Sequence, residues 1–219
     1  MSRSAEKLTT QIKRDIADGI LKPGDQLEES VLAARFGVSR TPIREAVRSM
    51  VDCGLLETRP RKGAYVRCLT AKELLDLFEV AAELEAMACR VATNTLTENA
   101  KRHIEGALKE CEQAALEGDV RRYSKANLAF HRAIHLASGN TWLLDQLKQI
   151  ELRINAYRSM PYDVRGRMEH SAKEHRDIFQ AIVAGEDETA RNLMRDHMMI
   201  QGKRLPSILQ ALESINSLE

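Results

Sequence analysis

The sequence predicts a mainly α protein: an N-terminal winged helix-turn-helix over residues 1–68, then an all-α bundle of six or seven helices over 69–219. Three observations support that division. Residues 1–68 carry 13 Lys/Arg against 9 Asp/Glu, a net of +4, whereas residues 69–219 carry 20 against 23, a net of −3, so the formal +1 of the whole chain conceals two differently charged parts. Three of the five prolines and five of the eleven glycines fall before residue 64, which marks short elements joined by tight turns. The remainder is rich in Ala, Leu, Glu and Arg and almost free of strand signals, the composition of helices packed on helices.

The bulk properties exclude several classes. At roughly 150 residues per domain, 219 residues allow one large domain or two small ones. A net charge of +1 excludes a uniformly basic nucleic-acid coat, and a 43% hydrophobic content without long like-charge blocks excludes a disordered polyelectrolyte. No apolar run approaches the ~18 residues that span a bilayer. The start, MSRSAEKLTTQIKRDI, lacks the apolar segment and small-residue cleavage site of a secretory signal. Cys53, Cys68, Cys89 and Cys111 lie far apart with no CxxC pair, so neither a disulfide framework nor a thiolate zinc site is indicated. A soluble, cytoplasmic protein with no membrane partner is expected.

Leu8, Ile12 and Ile16 recur at four-residue spacing and predict an amphipathic first helix, ended by Gly19 and Lys22-Pro23-Gly24-Asp25. A short second helix runs from about Glu29 to Phe36 and stops at Gly37, suited to the left-handed C′ position. Ser39 is then an N-cap, and Pro42 is tolerated in a first turn. Ile43, Val47 and Met50 or Val51 form the buried stripe of this third helix, leaving Arg40, Thr41, Arg44 and Arg48 off it. Leu55–Thr58 and Ala64–Arg67 are strand-like runs around the basic tip Arg59-Pro60-Arg61-Lys62-Gly63. Helix, turn, helix and basic hairpin suit DNA. Arg40, Thr41 and Arg44 sit at a helix N-terminus that fits the major groove, where Arg bonds guanine O6 and N7. Ser30, Arg48, Arg61 and Lys62 are placed for phosphate or minor-groove contacts. The same spacing also describes three small helices with a solvated arginine face.

The run PGDQLEESVLAARFGVSRTPIREAVRSMVDCGLLETRPRKGAYV resembles the winged helix of the GntR superfamily of bacterial transcription regulators. The resemblance implies DNA binding, with Arg40, Thr41 and Arg44 at the family's base and phosphate contacts and Gly63 at its wing glycine.

In the remainder, Thr70-Ala71-Lys72-Glu73 has the form of a capping box opening a long helix with Leu77, Ala81, Leu84, Ala88 and Val91 on one face. Thr97 caps a second helix that buries Ile104, Leu108 and Cys111 and stops at Gly118. A third spans about Val120 to Ser138, and a fourth runs from Trp142 to about Tyr157. Ser171-Ala172-Lys173-Glu174 reads as another capping box, starting a helix through Ala184. Gly185 and Asp187 introduce a last helix bearing Leu193, Met194 and Ile200.

The histidines carry the chemical information here. Asn127 and His131 share a helical face, and His175 and His197 each sit among apolar helical neighbours. Three imidazoles and an amide oxygen suit a borderline divalent metal, although scattered histidines equally suit a core or a surface. Three histidines with an open position also describe a catalytic zinc in a hydrolase or lyase. No HExxH is present, however, and Glu174 follows a different helical direction from its neighbour His175, so no general base is identified. A helical adaptor without DNA binding is the third class.

LAFHRAIHLASGN, SAKEHRDIFQAIVAGED and MRDH resemble the C-terminal ligand-binding domain of the FadR-like (FCD) subfamily, over about residues 70–212. That likeness implies a divalent metal (zinc, nickel or manganese) held by Asn127, His131, His175 and His197, a small carboxylate effector, and a homodimer on a palindromic operator, more often repressing than activating. His135 is not among the implied ligands. Two departures stand out. Asparagine replaces the family's frequent aspartate at 127, leaving more of the ion's charge for an anionic effector. Ala81 follows Glu79-Val80 where an arginine is frequent, which leaves Arg153 and Arg158 as candidate carboxylate partners.

Overall fold

The computed structural model describes residues 2–17, 19–158 and 166–200, without the side chains of Ala156 and Arg158. The chain divides into two compact units, Met1–Thr70 with Leu152–Ala156, and Ala71–Glu151 with Tyr157–Glu219.

The first unit is a winged helix-turn-helix. Helix α1 (Arg3–Ala17) turns Ala5, Leu8, Ile12 and Ile16 inward, because residues three and four apart share a helical face. It packs on α3 (Arg40–Asp52), whose inward stripe is Ile43, Ala46, Val47 and Met50, with Val51 half-buried. Between them α2 (Glu29–Phe36) ends at Gly37, whose φ of 63° suits a residue without a Cβ. Strands β2 (Leu56–Arg59) and β3 (Gly63–Val66) pair antiparallel, with Leu56 opposite Val66 and Arg59 opposite Gly63. A two-residue strand β1 (Gln26–Leu27) pairs with the other edge of β3, giving the order β1-β3-β2. Two residues carry no periodicity, so β1 was not legible in the sequence.

The second unit is helical: α4 (Ala71–Asn94), α5 (Glu98–Glu117), α6 (Val120–Ala137), α7 (Thr141–Arg158), α8 (Arg167–Ala184) and a helix over 187–200, here α9. The second unit thus has six helices among its described residues. Side-chain caps set several starts. Thr97 Oγ1 accepts from the Ala100 N–H at 3.2 Å, Asp119 Oδ1 from Arg122 at 2.9 Å and Asn140 Oδ1 from Leu143 at 3.1 Å. Helix α5 packs against α6 and α8, and α4 against the same two. Among the described residues no helix is long and apolar enough to cross a membrane.

Two expectations need correction. Helix α8 begins at Arg167, after a left-handed Gly166, so Ser171 lies inside the helix, fully buried, and caps nothing. Of the expected face of α4, Ala81 and Ala88 are buried, together with Leu74, Phe78, Ala82, Glu85 and Cys89, whereas Leu77, Leu84 and Val91 are half-buried along its flank. A glutamate in the middle of the inward face conceals that face from any hydrophobic count.

Candidate functional site

In the first unit, the residues expected to meet DNA are solvent-exposed: Ser30 on α2, Ser39 before α3, Arg40, Thr41, Arg44 and Arg48 on α3, and Arg61, Lys62 and Gly63 at the hairpin tip. Ser39 occupies the N-cap position but its hydroxyl caps nothing. A capping hydroxyl bonds the N–H of the second or third helical residue, and Pro42, the third, has none. The Ser39 hydroxyl is thereby left available to an outside group. Arg44 Nε donates to Glu29 Oε2 at 2.9 Å, across from α3 to α2. The hairpin tip turns on Pro60 and Arg61, with the Lys62 N–H bonded to the Arg59 carbonyl at 3.0 Å. Arg61 has a φ of +63°, a left-handed conformation unusual for a residue with a Cβ, and Gly63 follows at +90°. The Gln26 side chain ties the tip down by donating to the Lys62 carbonyl at 2.6 Å. Arg59 lies over the Tyr65 ring, 4.1 Å from its centroid.

In the second unit, His131 from α6, His175 from α8 and His197 from α9 meet in the interior, each no more than 1% exposed. They offer nitrogens that all lie within 4.8 Å of one another. His175 Nε2 and His197 Nε2 are 3.2 Å apart. Two nitrogens bound to one tetrahedral zinc at 2.0–2.1 Å lie about 3.3 Å apart, so this spacing suits a shared ion.

Two carboxylates orient the rings. His131 Nδ1 lies 3.0 Å from Glu85 Oε2, and His197 Nδ1 lies 2.7 Å from Glu174 Oε2. A neutral imidazole that donates through Nδ1 presents its lone pair at Nε2, the form a metal requires. Burial alone would raise the Glu85 carboxyl, but the charges that His135 and His131 carry when protonated, with their hydrogen bonds, hold it well below the usual carboxylate range. Glu174 is likewise drawn down to about 2: its burial is outweighed by the hydrogen bonds and charges of His197 and of Arg167. Arg167 is itself buried and clasps both Glu174 oxygens, at 3.2 and 2.9 Å.

Asn127, one helical turn before His131, is 1% exposed, and neither atom of its amide has a hydrogen-bond partner. An orphaned buried amide costs about 1–3 kcal/mol. Its presence beside converging imidazoles is what a ligand to an ion would look like without the ion. The donor set of three imidazoles and an amide oxygen therefore fits a borderline divalent metal.

Sequence reasoning missed Glu85 and Glu174. Adjacent helical residues diverge, which hides the role of Glu174 beside His175 in the sequence. Helix α9 brings His197 to the carboxylate that His175 turns away from. Glu85 was invisible because its partners come from another helix. His135, not expected as a ligand, places Nε2 2.7 Å from the same Glu85 oxygen that holds His131. Glu85, His131 and His135 thus form a second buried group. Arg153 lies in the α7 segment that belongs to the first unit and donates to the Cys53 carbonyl at 3.0 Å. The side chain of Arg158 lies outside the described residues.

Comparison with known proteins agrees with the two units. Residues 4–66 match the model for bacterial regulatory proteins of the gntR family, and residues 76–199 match the FCD domain. A winged helix-turn-helix joined to an FCD bundle defines a DNA-binding transcription regulator, not an enzyme. The chain belongs to the GntR family, whose members bind DNA operators, and its second unit to the FCD type, in which metal binding is known. It is 31% identical to the probable D-xylose utilization operon transcriptional repressor of Paenarthrobacter nicotinovorans, over 89% of this chain and 85% of that protein. It is 28% identical to the transcriptional repressor GlaR of Escherichia coli K12, over 92% and 94% respectively. Among solved structures, E. coli McbR/YncC superposes with a TM-score of 0.82 over 97% of this chain and 100% of that chain, at 23% identity, a likeness of fold alone.

Proposed function

We propose that this regulator is a repressor that reads a palindromic operator as a homodimer and whose helical domain binds a divalent metal and a small carboxylate effector. In this reading the N-terminus of α3 enters the major groove with Arg40, Thr41 and Arg44 at base edges. Ser30, Ser39, Arg48, Arg61 and Lys62 take phosphates, and Gly63 lets the wing backbone approach the duplex. A single helix-turn-helix reads one half-site, so two-fold pairing of protomers matches a two-fold operator. The domains are the reader over 1–68 and the effector and dimerisation bundle over 69–219, acting in the cytoplasm where the chromosome lies.

The convergence of three imidazoles from three helices carries the sensing half of the proposal. Asn127, His131, His175 and His197 would hold the ion (zinc, nickel or manganese), and the bound ion would supply a Lewis-acid docking point for carboxylate oxygens. Glu85 and Glu174 keep His131 and His197 in the tautomer that faces inward. Arg153 is engaged with the Cys53 carbonyl, so a bound ion held by Asn127, His131, His175 and His197 would be the counter-charge for the carboxylate. An effector shifts DNA binding only by its difference in affinity between the operator-competent and incompetent arrangements.

Metal analysis of protein purified without chelator, with gel-shift titration in the presence and absence of organic acids, tests this reading. About one ion per chain, lost in His175→Ala, is expected. In Asn127→Asp, ion retention no longer depends on added acid, because the new carboxylate supplies the charge that the effector otherwise brings. Equal dependence in both proteins would remove the role given to Asn127.

A further inference from the structure

The three exposed arginines of α3 are not equivalent. Arg40 and Arg48 have no hydrogen-bond or ion-pair partner among the described residues, whereas Arg44 is held by Glu29 through Nε. Among the described residues its terminal nitrogens Nη1 and Nη2 make no hydrogen bond. The link joins the first turn of α2 to α3, and both side chains are exposed, at 37% and 66%. An ion pair in such a position adds little to stability. It also places a negative charge on a face that must attract phosphates, which works against affinity. An interaction that helps neither folding nor phosphate binding needs another use.

We propose that Glu29 is a positioning residue for sequence reading: it fixes the Arg44 guanidinium by Nε so that the Nη1–Nη2 edge faces one guanine of each half-site. The inference rests on the assignment of Arg44 to a base edge. Guanine presents two acceptors in the major groove, O6 and N7, whereas adenine presents N7 beside the N6 donor. Two parallel N–H groups held in one orientation donate to both acceptors of the first pattern and clash with the donor of the second. An arginine without a tether must be ordered when DNA arrives and can turn to a phosphate instead, which blurs the distinction.

The test uses the full chain and a duplex selected by the wild-type protein from random sequence. Each guanine is replaced in turn by adenine or by 7-deazaguanine, which lacks N7, and affinities are read by fluorescence anisotropy. Wild-type protein is expected to lose about tenfold at one guanine per half-site, and Arg44→Ala to lose that dependence. Glu29→Gln and Glu29→Asp are expected to keep the same preferred guanine but to discriminate only about threefold. On random duplex, Glu29→Gln binds as tightly as wild type or more tightly, having shed a negative charge, and Glu29→Asp binds as wild type. Circular dichroism confirms folding, and Glu29→Asp, which retains the charge in the first turn of α2, decides the matter if Glu29→Gln loses helix. Full tenfold discrimination in both Glu29 variants, with Arg44→Ala losing it, overturns the proposal and leaves base reading intact. If Arg44→Ala weakens every duplex alike and lowers the salt dependence by about one phosphate, Arg44 is a phosphate contact and both readings fall.

Discussion

The two units are held together differently. The interior of the DNA-reading head is a single apolar cluster built from α1, α2, α3 and the sheet, with Ile12, Ile43 and Met50 fully buried. Asp15 is its buried acid, and Arg35 and Gln11 satisfy it at 2.7 and 2.9 Å. The bundle instead encloses Glu85, Asn127, His131, His135, Arg167, Ser171, His175 and His197. Polar groups in a low-dielectric interior cost free energy unless each is partnered, and hydrophobic side chains of the same volume would pack there at no such cost. The head is built for rigidity. The bundle gives up stability for a buried polar cluster, the trade that the proposed sensing role requires.

Four perturbations would break or sharpen this contrast. The largest is Glu85→Ala, which removes the acceptor shared by His131 and His135. A loss of about 3–5 kcal/mol is expected on urea unfolding. Ile12→Val in the head, by comparison, costs about 1 kcal/mol. Similar losses for the two would erase the distinction between the interiors. Next, zinc at a hundred times its dissociation constant stabilises the bundle by about 2.7 kcal/mol. Hydrogen exchange should then slow in peptides from α6, α8 and α9 and stay unchanged in α1 to α3, and EDTA should reverse it; uniform slowing would contradict the division. Third, Glu174→Gln weakens zinc binding about 10–100-fold in calorimetric titration, since His197 loses its anionic partner. The smallest effect belongs to the wing. Arg61→Gly relieves a left-handed residue and stabilises the head by about 0.5–1 kcal/mol, yet it removes a cation, so the salt dependence of operator binding drops by about one phosphate. Stability and affinity should move in opposite directions.

Local chemistry explains what was legible in the sequence. Gly37 ended α2, Thr97 opened α5 and the Arg59–Gly63 tip closed the hairpin, because turn and cap residues act within a few positions of themselves. The histidines of the cluster could be named but not placed together by spacing, since 44 residues separate His131 from His175; resemblance supplied the grouping. Glu85 and Glu174 escaped for the same reason in stronger form. A buried carboxylate makes sense only through a partner on a different helix, and nothing in its own neighbourhood announces one. The start of α8 was misplaced because Ser171 has the chemistry of a cap and the position of a core residue.

Arg40 and Arg44, the two arginines proposed for base edges, stand four residues apart along α3. That step advances about 6 Å along the axis and about 40° around it. Base pairs are stacked about 3.4 Å apart, which would limit this pair of guanidinium groups to about two or three rungs of the double helix. So short a word recurs by chance throughout a chromosome. In the proposed homodimer, addressing a unique promoter would therefore fall to the spacing between two such words and to what the hairpin senses of the flanking groove.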